Sequence, residues 1–179
     1  MNNSIESLLE ADHESLDQLL AELDEELAKP NLARAFELLD LFWARLAVHI
    51  RAENLHLFPA IINASASLFP GKGGLPNFED AKGLILRLRS DHDFFMKELA
   101  QIIKAVRDIV AVQTPSIAEF EELRPRLTVI RTRLETHNRL EEEQLYNWPA
   151  LLFDKTTLAD LYERLRHDEV LRAVRRAIP

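Results

Sequence analysis

The sequence predicts an all-α protein: an antiparallel up-down four-helix bundle with an additional C-terminal helix. Three observations predict it. Apolar residues recur at alternating three- and four-residue intervals through four long stretches, the period of an amphipathic helix. Glycine is scarce, at 4 in 179 residues, while Leu, Ala, Glu and Arg abound, which favours helix over sheet. Turn signals gather in few places, chiefly SASLFPGKGGLPN at 65–77, which holds most of the glycines. A chain of this length suits one domain, with the bundle over residues 1–154 and the last helix, 155–179, packed on it.

The first helix is expected to start at Asn3 or Ser4 and run to about Lys29, burying Ile5, Leu9, His13, Leu16, Leu20, Leu23 and Leu27. The second follows Pro30, a suitable first-turn residue, and reaches about Ala64. Its stripe is Leu39, Phe42, Leu46, His49, Glu53, His56 and Ala60, and Pro59 kinks it without ending it, because Ile61 and Ile62 resume the pattern. The third runs from about Phe78 to Val112 with Ile85, Leu88, His92, Phe95, Leu99, Ile102, Val106 and Ile109 inward. Ser116 and Glu119 read as a capping box opening the fourth. That helix carries Leu123, Leu127, Ile130, Leu134, His137, Glu141, Gln144 and Trp148, and Pro125 and Pro149 are expected to bend it. A fifth helix begins at Thr156 or Thr157 and ends near Ala177. Leu158, Leu161, Leu165 and Val170 would pack it across the outside or one end of the bundle.

Composition narrows the function. The formal net charge is -8, against the basic face that phosphate binding requires, so no nucleic-acid partner is expected. There is no cysteine, which removes disulfides, thiolate metal sites and cysteine nucleophiles together. No apolar run is long enough to span a bilayer, so no membrane partner is expected. The opening MNNSIESLLEAD lacks the basic-then-apolar layout of a secretory leader, which points to the cytoplasm.

Each bundle stripe is interrupted near its middle by a ligand-type side chain: His13; His49 with Glu53; His92; His137 with Glu141. A buried polar group without a partner costs on the order of 2 kcal/mol or more, and an ionised carboxylate costs more still. Several of them would consume a total stability of roughly 5–15 kcal/mol. They must therefore satisfy one another or bind a cation. The chain also repeats itself. DHES at 12–15 precedes HIRAENLHLFP, and DHDF at 91–94 precedes HNRLEEEQLYNWP. Each half is thus a helical hairpin giving one His and then His-x-x-x-Glu, whose spacing puts both side chains on one face. Imidazole plus carboxylate without sulfur suits iron, manganese or zinc. Two carboxylates can lie between two ions, so a two-metal site balances charge better than a one-metal site.

At these residues the chain resembles the hemerythrin-like family, also called HHE cation-binding domains. The family pattern falls on His13, His49 and Glu53, His92, and His137 and Glu141, and spans most of the chain. One HxxxE is a weak signal; four elements in order, each in a helical stripe, are specific. The resemblance implies a non-haem centre of two iron ions, Fe2+ or Fe3+, with an oxo or hydroxo bridge, zinc or manganese being substitutes. His13 and His49 would serve one ion, His92 and His137 the other, and Glu53 and Glu141 both. Oxygen-carrying members have a further histidine one turn along the third helix, where this chain has Leu88 and Met96. His56, three residues past Glu53, is a seventh candidate, either as a ligand, as a hydrogen-bond donor, or facing the kink at Pro59. Its repeat partner is Gln144. Asp12, Asp91 and Asp93 flank the histidines and read first as surface charges, with support of the histidines from behind as the alternative. Glu142 and Glu143 read as solvated neighbours of Glu141, and Trp43, Tyr146 and Trp148 as packing residues.

Three functions follow. The first is a di-iron protein that binds or senses dioxygen or a related small oxidant. The second is a di-iron redox protein reacting with peroxide or nitric oxide, in stress defence or iron handling. The third is a structural or regulatory bundle stabilised by its metal. A ferritin-like carboxylate site fits less well, since ENLH at 53–56 matches Glu-x-x-His but EEEQ at 141–144 does not. The expected ligand is small, such as O2, peroxide or NO. The expected macromolecular partner is a second copy or a separate signalling protein.

Overall fold

A computed structural model describes residues 4–27, 32–64, 66–69, 73–110 and 122–175, with the side chains of 32, 110 and 168–175 outside the description. Four helical rods form the bundle: α1 (Ile5–Leu27), α2 (Leu32–Ala52), α4 (Phe78–Val110) and α5 (Arg124–Leu140). Short helices α3 (Phe58–Ile62) and α6 (Trp148–Leu152) extend the second and fourth rods, and α7 (Lys155–Arg175) lies outside them.

Cross-helix bonds fix the direction of each neighbour, because partner numbers rise on one rod as they fall on the next. On α1 and α2, His13 meets His49 and Glu22 meets Arg34. On α2 and α4, Asp40 meets Arg107 while the Asn54 carbonyl, just beyond α2, meets Arg89. On α4 and α5, Asp91 meets Arg133 while Glu98 meets Arg126. Arg131 and Arg124 of α5 then donate to the Leu20 and Leu27 carbonyls of α1, closing the ring. Every adjacent pair is antiparallel, as the sequence predicts.

The apolar interior comes in two blocks. One holds Leu16, Leu20, Phe42, Leu46, Leu99, Ile102, Ile130 and Leu134; the other holds Leu9, Leu57, Phe58, Ile61, Ile85, Leu88, Leu145 and Trp148. The polar interruptions of the stripes lie between them. Leu161 and Leu165 seat α7 on the second block, with Leu158 partly buried beside them.

Ser4 caps α1, its hydroxyl accepting from the Ser7 N–H at 3.1 Å. The expected Asn3 cap, Pro30, the ends near Lys29, Val112 and Ala177, and the Ser116–Glu119 capping box lie outside the described residues. The cap of α7 is Asp154, two or three residues earlier than Thr156 or Thr157. Its carboxylate accepts from the Thr157 N–H at 2.8 Å, and an aspartate is the better acceptor there.

The prolines act differently from one another. Pro125 falls in the first turn of α5 and starts that helix instead of bending it. Before Pro59 and Pro149 the chain widens into one π-helical turn each, Glu53–Leu57 and Glu141–Leu145, and each turn opens on the interior carboxylate. Closing bonds run from the Phe58 N–H to the Glu53 carbonyl and from the Tyr146 N–H to the Glu141 carbonyl. Such wide turns accommodate a break in the ladder near proline. The second rod continues directly into α3, whereas the fourth is interrupted at Tyr146 and Asn147, because Pro149 lies further past its glutamate than Pro59 does.

Candidate metal centre

The antiparallel packing brings one face of each rod to a single level between the two apolar blocks. His13, His49, Glu53, His92, His137 and Glu141 meet there, all buried. His13 Nε2 and His49 Nε2 are 3.1 Å apart, and so are His92 Nε2 and His137 Nε2. The carboxylates lie across these pairs. Glu53 Oε2 is 3.4 Å from His49 Nε2 and 3.3 Å from His92 Nε2. Glu141 lies 3.4 Å from His13 Nε2, 3.2 Å from His137 Nε2 and 3.9 Å from His92 Nε2. Each glutamate therefore faces a histidine from each half of the chain. Two groups of donor atoms lie within 4.8 Å of one another: Glu53, His92, His137 and Glu141, and His13, His49 and Glu141.

The backs of the imidazoles are held by acidic residues whose first reading from sequence is surface charge. Asp12 is buried and accepts from His49 Nδ1 at 2.8 Å, while Arg45 holds that carboxylate from behind at 3.3 Å. Asp91 lies 3.4 Å from His137 Nδ1 and accepts from Arg133 at 2.7 Å. Glu142, half-buried, accepts from His13 Nδ1 at 2.7 Å. Bonds at Nδ1 fix the tautomer and direct Nε2 inward. Asp93 and Glu143 are exposed as expected. A sequence signal existed for the aspartates: Asp before the single His, and Arg four residues before the paired one, occur at the same offsets in both halves.

Tyr146 is likewise more than a packing residue. Its hydroxyl donates to Glu53 Oε1 at 2.8 Å and lies 3.2 Å from Glu141 Oε2 and 3.0 Å from His13 Nε2. The corresponding residue of the first half is Phe58, which stacks on His92 at 5.5 Å between ring centres. His56 does not join the six. It is half-buried and lines a cavity with Asn63, Asp160 and Arg164, toward α7. The reason is the π turn. The wider turn advances less per residue, so the residue three past Glu53 no longer overlies it. Gln144, in the same place in the second turn, is exposed.

Charge binds the cluster together. Burial works to lower the His13 pKa, but hydrogen bonds to Glu141 and Glu142, and the charges of Glu141 and Glu53, raise it to about 10. Burial also opposes protonation of His137, yet Glu141 and Asp91 carry it up to about 9. Burial raises Glu141 while His137 and His13 lower it, and the histidines prevail by a wide margin. Burial, with the charges of Glu141 and Glu53, holds the Tyr146 phenol well above its ordinary value. A cation entering this cluster must therefore displace protons from imidazoles.

Two carboxylate oxygens test whether a cation fits. Glu53 Oε2 and Glu141 Oε1 are fully buried, and among the described residues neither accepts a well-directed hydrogen bond. Glu53 Oε2 is turned toward a histidine of each pair, and Glu141 Oε1 toward His137 and His92. Buried acceptors so placed, in a donor set of four imidazoles and two carboxylates, suit a borderline divalent metal.

Residues 4–148 match the family model of the hemerythrin HHE cation-binding domain. The chain belongs to the hemerythrin HHE family. No curated protein and no solved structure matched it. The hemerythrin match covers the four bundle rods and ends at the start of α6, so α7 lies beyond it. Among the described residues no helix is long and apolar enough to cross a membrane.

Proposed function

We propose that this hemerythrin-like domain holds two iron ions and binds or senses dioxygen or a related small oxidant. His13 and His49 would hold one ion, His92 and His137 the other, with Glu53 and Glu141 shared. One observation carries the reading: each carboxylate reaches histidines of both halves, at 3.4 and 3.3 Å for Glu53 and at 3.4, 3.2 and 3.9 Å for Glu141. A single-ion site would not need both carboxylates to straddle the pairs.

When bound, the iron pair supplies open coordination positions and up to two electrons for a small oxidant. The chain supplies the rest. Asp12 and Asp91 orient His49 and His137 by their Nδ1 atoms. Tyr146 places a hydrogen-bond donor among the carboxylates. Phe58, stacked on His92, and Phe95, edge-on to His137 at 5.4 Å, keep water from the imidazoles. Leu88, fully buried, fills space one turn from His92 without offering a ligand atom.

The test is metal analysis of the natively expressed protein, followed by visible spectra of the reduced, iron-loaded form under nitrogen and then air. We expect about two irons per chain and a charge-transfer band that develops in air. A band that follows oxygen pressure reversibly supports dioxygen binding. Irreversible bleaching with turnover of peroxide or nitric oxide would transfer the assignment to redox defence. A colourless protein fully stabilised by zinc would leave a metal with a structural role only.

A further inference from the structure

A cavity of about 500 Å³ lies between the start of α1, α6 and α7. Its walls are largely apolar, with Ile5, Pro149, Leu158 and Ala159, and its charged groups, Glu6, Lys155 and Glu163, are exposed at the rim. Tyr146 also lines it. Tyr146 is thus the one lining residue whose own hydroxyl reaches Glu53, Glu141 and His13. Next to it in the wall, Asn147 has a buried side-chain oxygen with no partner among the described residues.

We propose that this cavity is a vestibule that collects a small uncharged oxidant and passes it to the centre alongside Tyr146. The walls argue for the class of ligand. A neutral diatomic loses little by leaving water for apolar side chains, whereas an anion would forfeit its hydration. A second cavity, of about 700 Å³, approaches the centre from the other side through Asp91 and Arg133, but threonines and charged groups dominate its lining. It is the natural control.

The proposal rests on the di-iron reading, and two experiments keep their failures apart. In the first, reduced iron-loaded protein is mixed with dissolved dioxygen and the rise of the band is timed. Ala159 and Ala150 line the vestibule and are exposed, so Ala159→Trp and Ala150→Trp fill it without entering the core. Each should slow the rise by about tenfold or more with the final spectrum and iron content unchanged. Thr132→Trp, on the exposed lining of the other cavity, should change the rate by less than about twofold. The vestibule is overturned if both alanine variants keep the parent rate or if Thr132→Trp is the slow one.

The second experiment needs no metal. Dissolved dioxygen is paramagnetic and speeds relaxation of the methyl groups it visits. In metal-free protein under oxygen pressure, the Ile5 and Leu158 methyls should relax faster than those of Val129, although Val129 is 57% exposed and Ile5 only 5%. Relaxation that simply follows exposure would refute the vestibule whatever the metal content. Failure to bind iron, with the Ile5 and Leu158 effect intact, would instead refute the di-iron reading and leave the vestibule standing.

Discussion

The half of the centre built on His13 and His49 is held more tightly than the half built on His92 and His137. Both use one pattern, an Asp-His pair on one rod and Arg-x-x-x-His-x-x-x-Glu on the next. Yet Asp12 lies 2.8 Å from His49 while Asp91 lies 3.4 Å from His137. His13 Nδ1 has Glu142 at 2.7 Å, but His92 Nδ1 has no hydrogen-bond partner among the described residues. Asn54 stands where the second half has Glu142, and its side-chain oxygen is also buried, without a partner among the described residues. Tyr146 brings a hydroxyl to His13, and its counterpart Phe58 brings only a ring face to His92. Duplicated histidines and glutamates thus sit in unlike surroundings, so two ions held there would differ in affinity and in access.

The strongest way to break this comparison is to remove what the halves share. Glu141→Gln and Glu53→Gln keep the shape of each side chain but take away its charge. Because each carboxylate straddles both histidine pairs, either change should lower iron from about two per chain to well below one, while the helical circular dichroism persists. If a variant lost one ion and kept the other at full affinity, the halves would be independent sites and the sharing of carboxylates would be wrong.

A smaller effect sharpens the difference between the halves. Asp12→Asn and Asp91→Asn each remove a charged acceptor behind a histidine, which typically weakens metal binding by about 10- to 100-fold. The shorter bond to His49 puts Asp12→Asn at the upper end of that range and Asp91→Asn at the lower. Competition against a chelator with zinc as the probe would rank them. Equal losses would mean that the difference between 2.8 and 3.4 Å has no energetic consequence.

The six inward residues were legible because an amphipathic stripe has no reason to contain His or Glu at an inward position. Periodicity alone places His13, His49, Glu53, His92, His137 and Glu141 inside. The residues behind them were not legible in that way. Asp12, Asp91 and Glu142 each neighbour a stripe position, where surface charge is the ordinary explanation, and only the fold reveals which neighbours face a ring nitrogen. Repetition between halves was a partial guide. Asp12 and Asp91 repeat and hold histidines, and Arg45 and Arg133 repeat and hold those aspartates, but Arg51 and Arg139 repeat at the same offset and face solvent. Tyr146 was hidden because its role depends on the one atom by which it differs from Phe58. The ends of the helices were limited by local chemistry: Pro125 reads equally as a first-turn or a bending residue until the turn before it is seen.

His56 provides the finest test of how the helix geometry selects ligands. In an unbroken α-helix, a residue three past Glu53 shares its face, and His56 would then stand beside the centre. The π turn over Glu53–Leu57 rotates it toward α7 instead, where it lines a cavity with Asp160 and Arg164. His56→Ala should therefore leave iron content unchanged and metal affinity within about twofold, far less than a lost ligand would cost. Gln144→Ala, at the exposed counterpart in the other half, should do the same. The informative result is a difference between them. If His56→Ala weakened metal binding and Gln144→Ala did not, the π turn would have to relax into an α-helical one when the cation enters. The two halves would then diverge in backbone as well as in side chains.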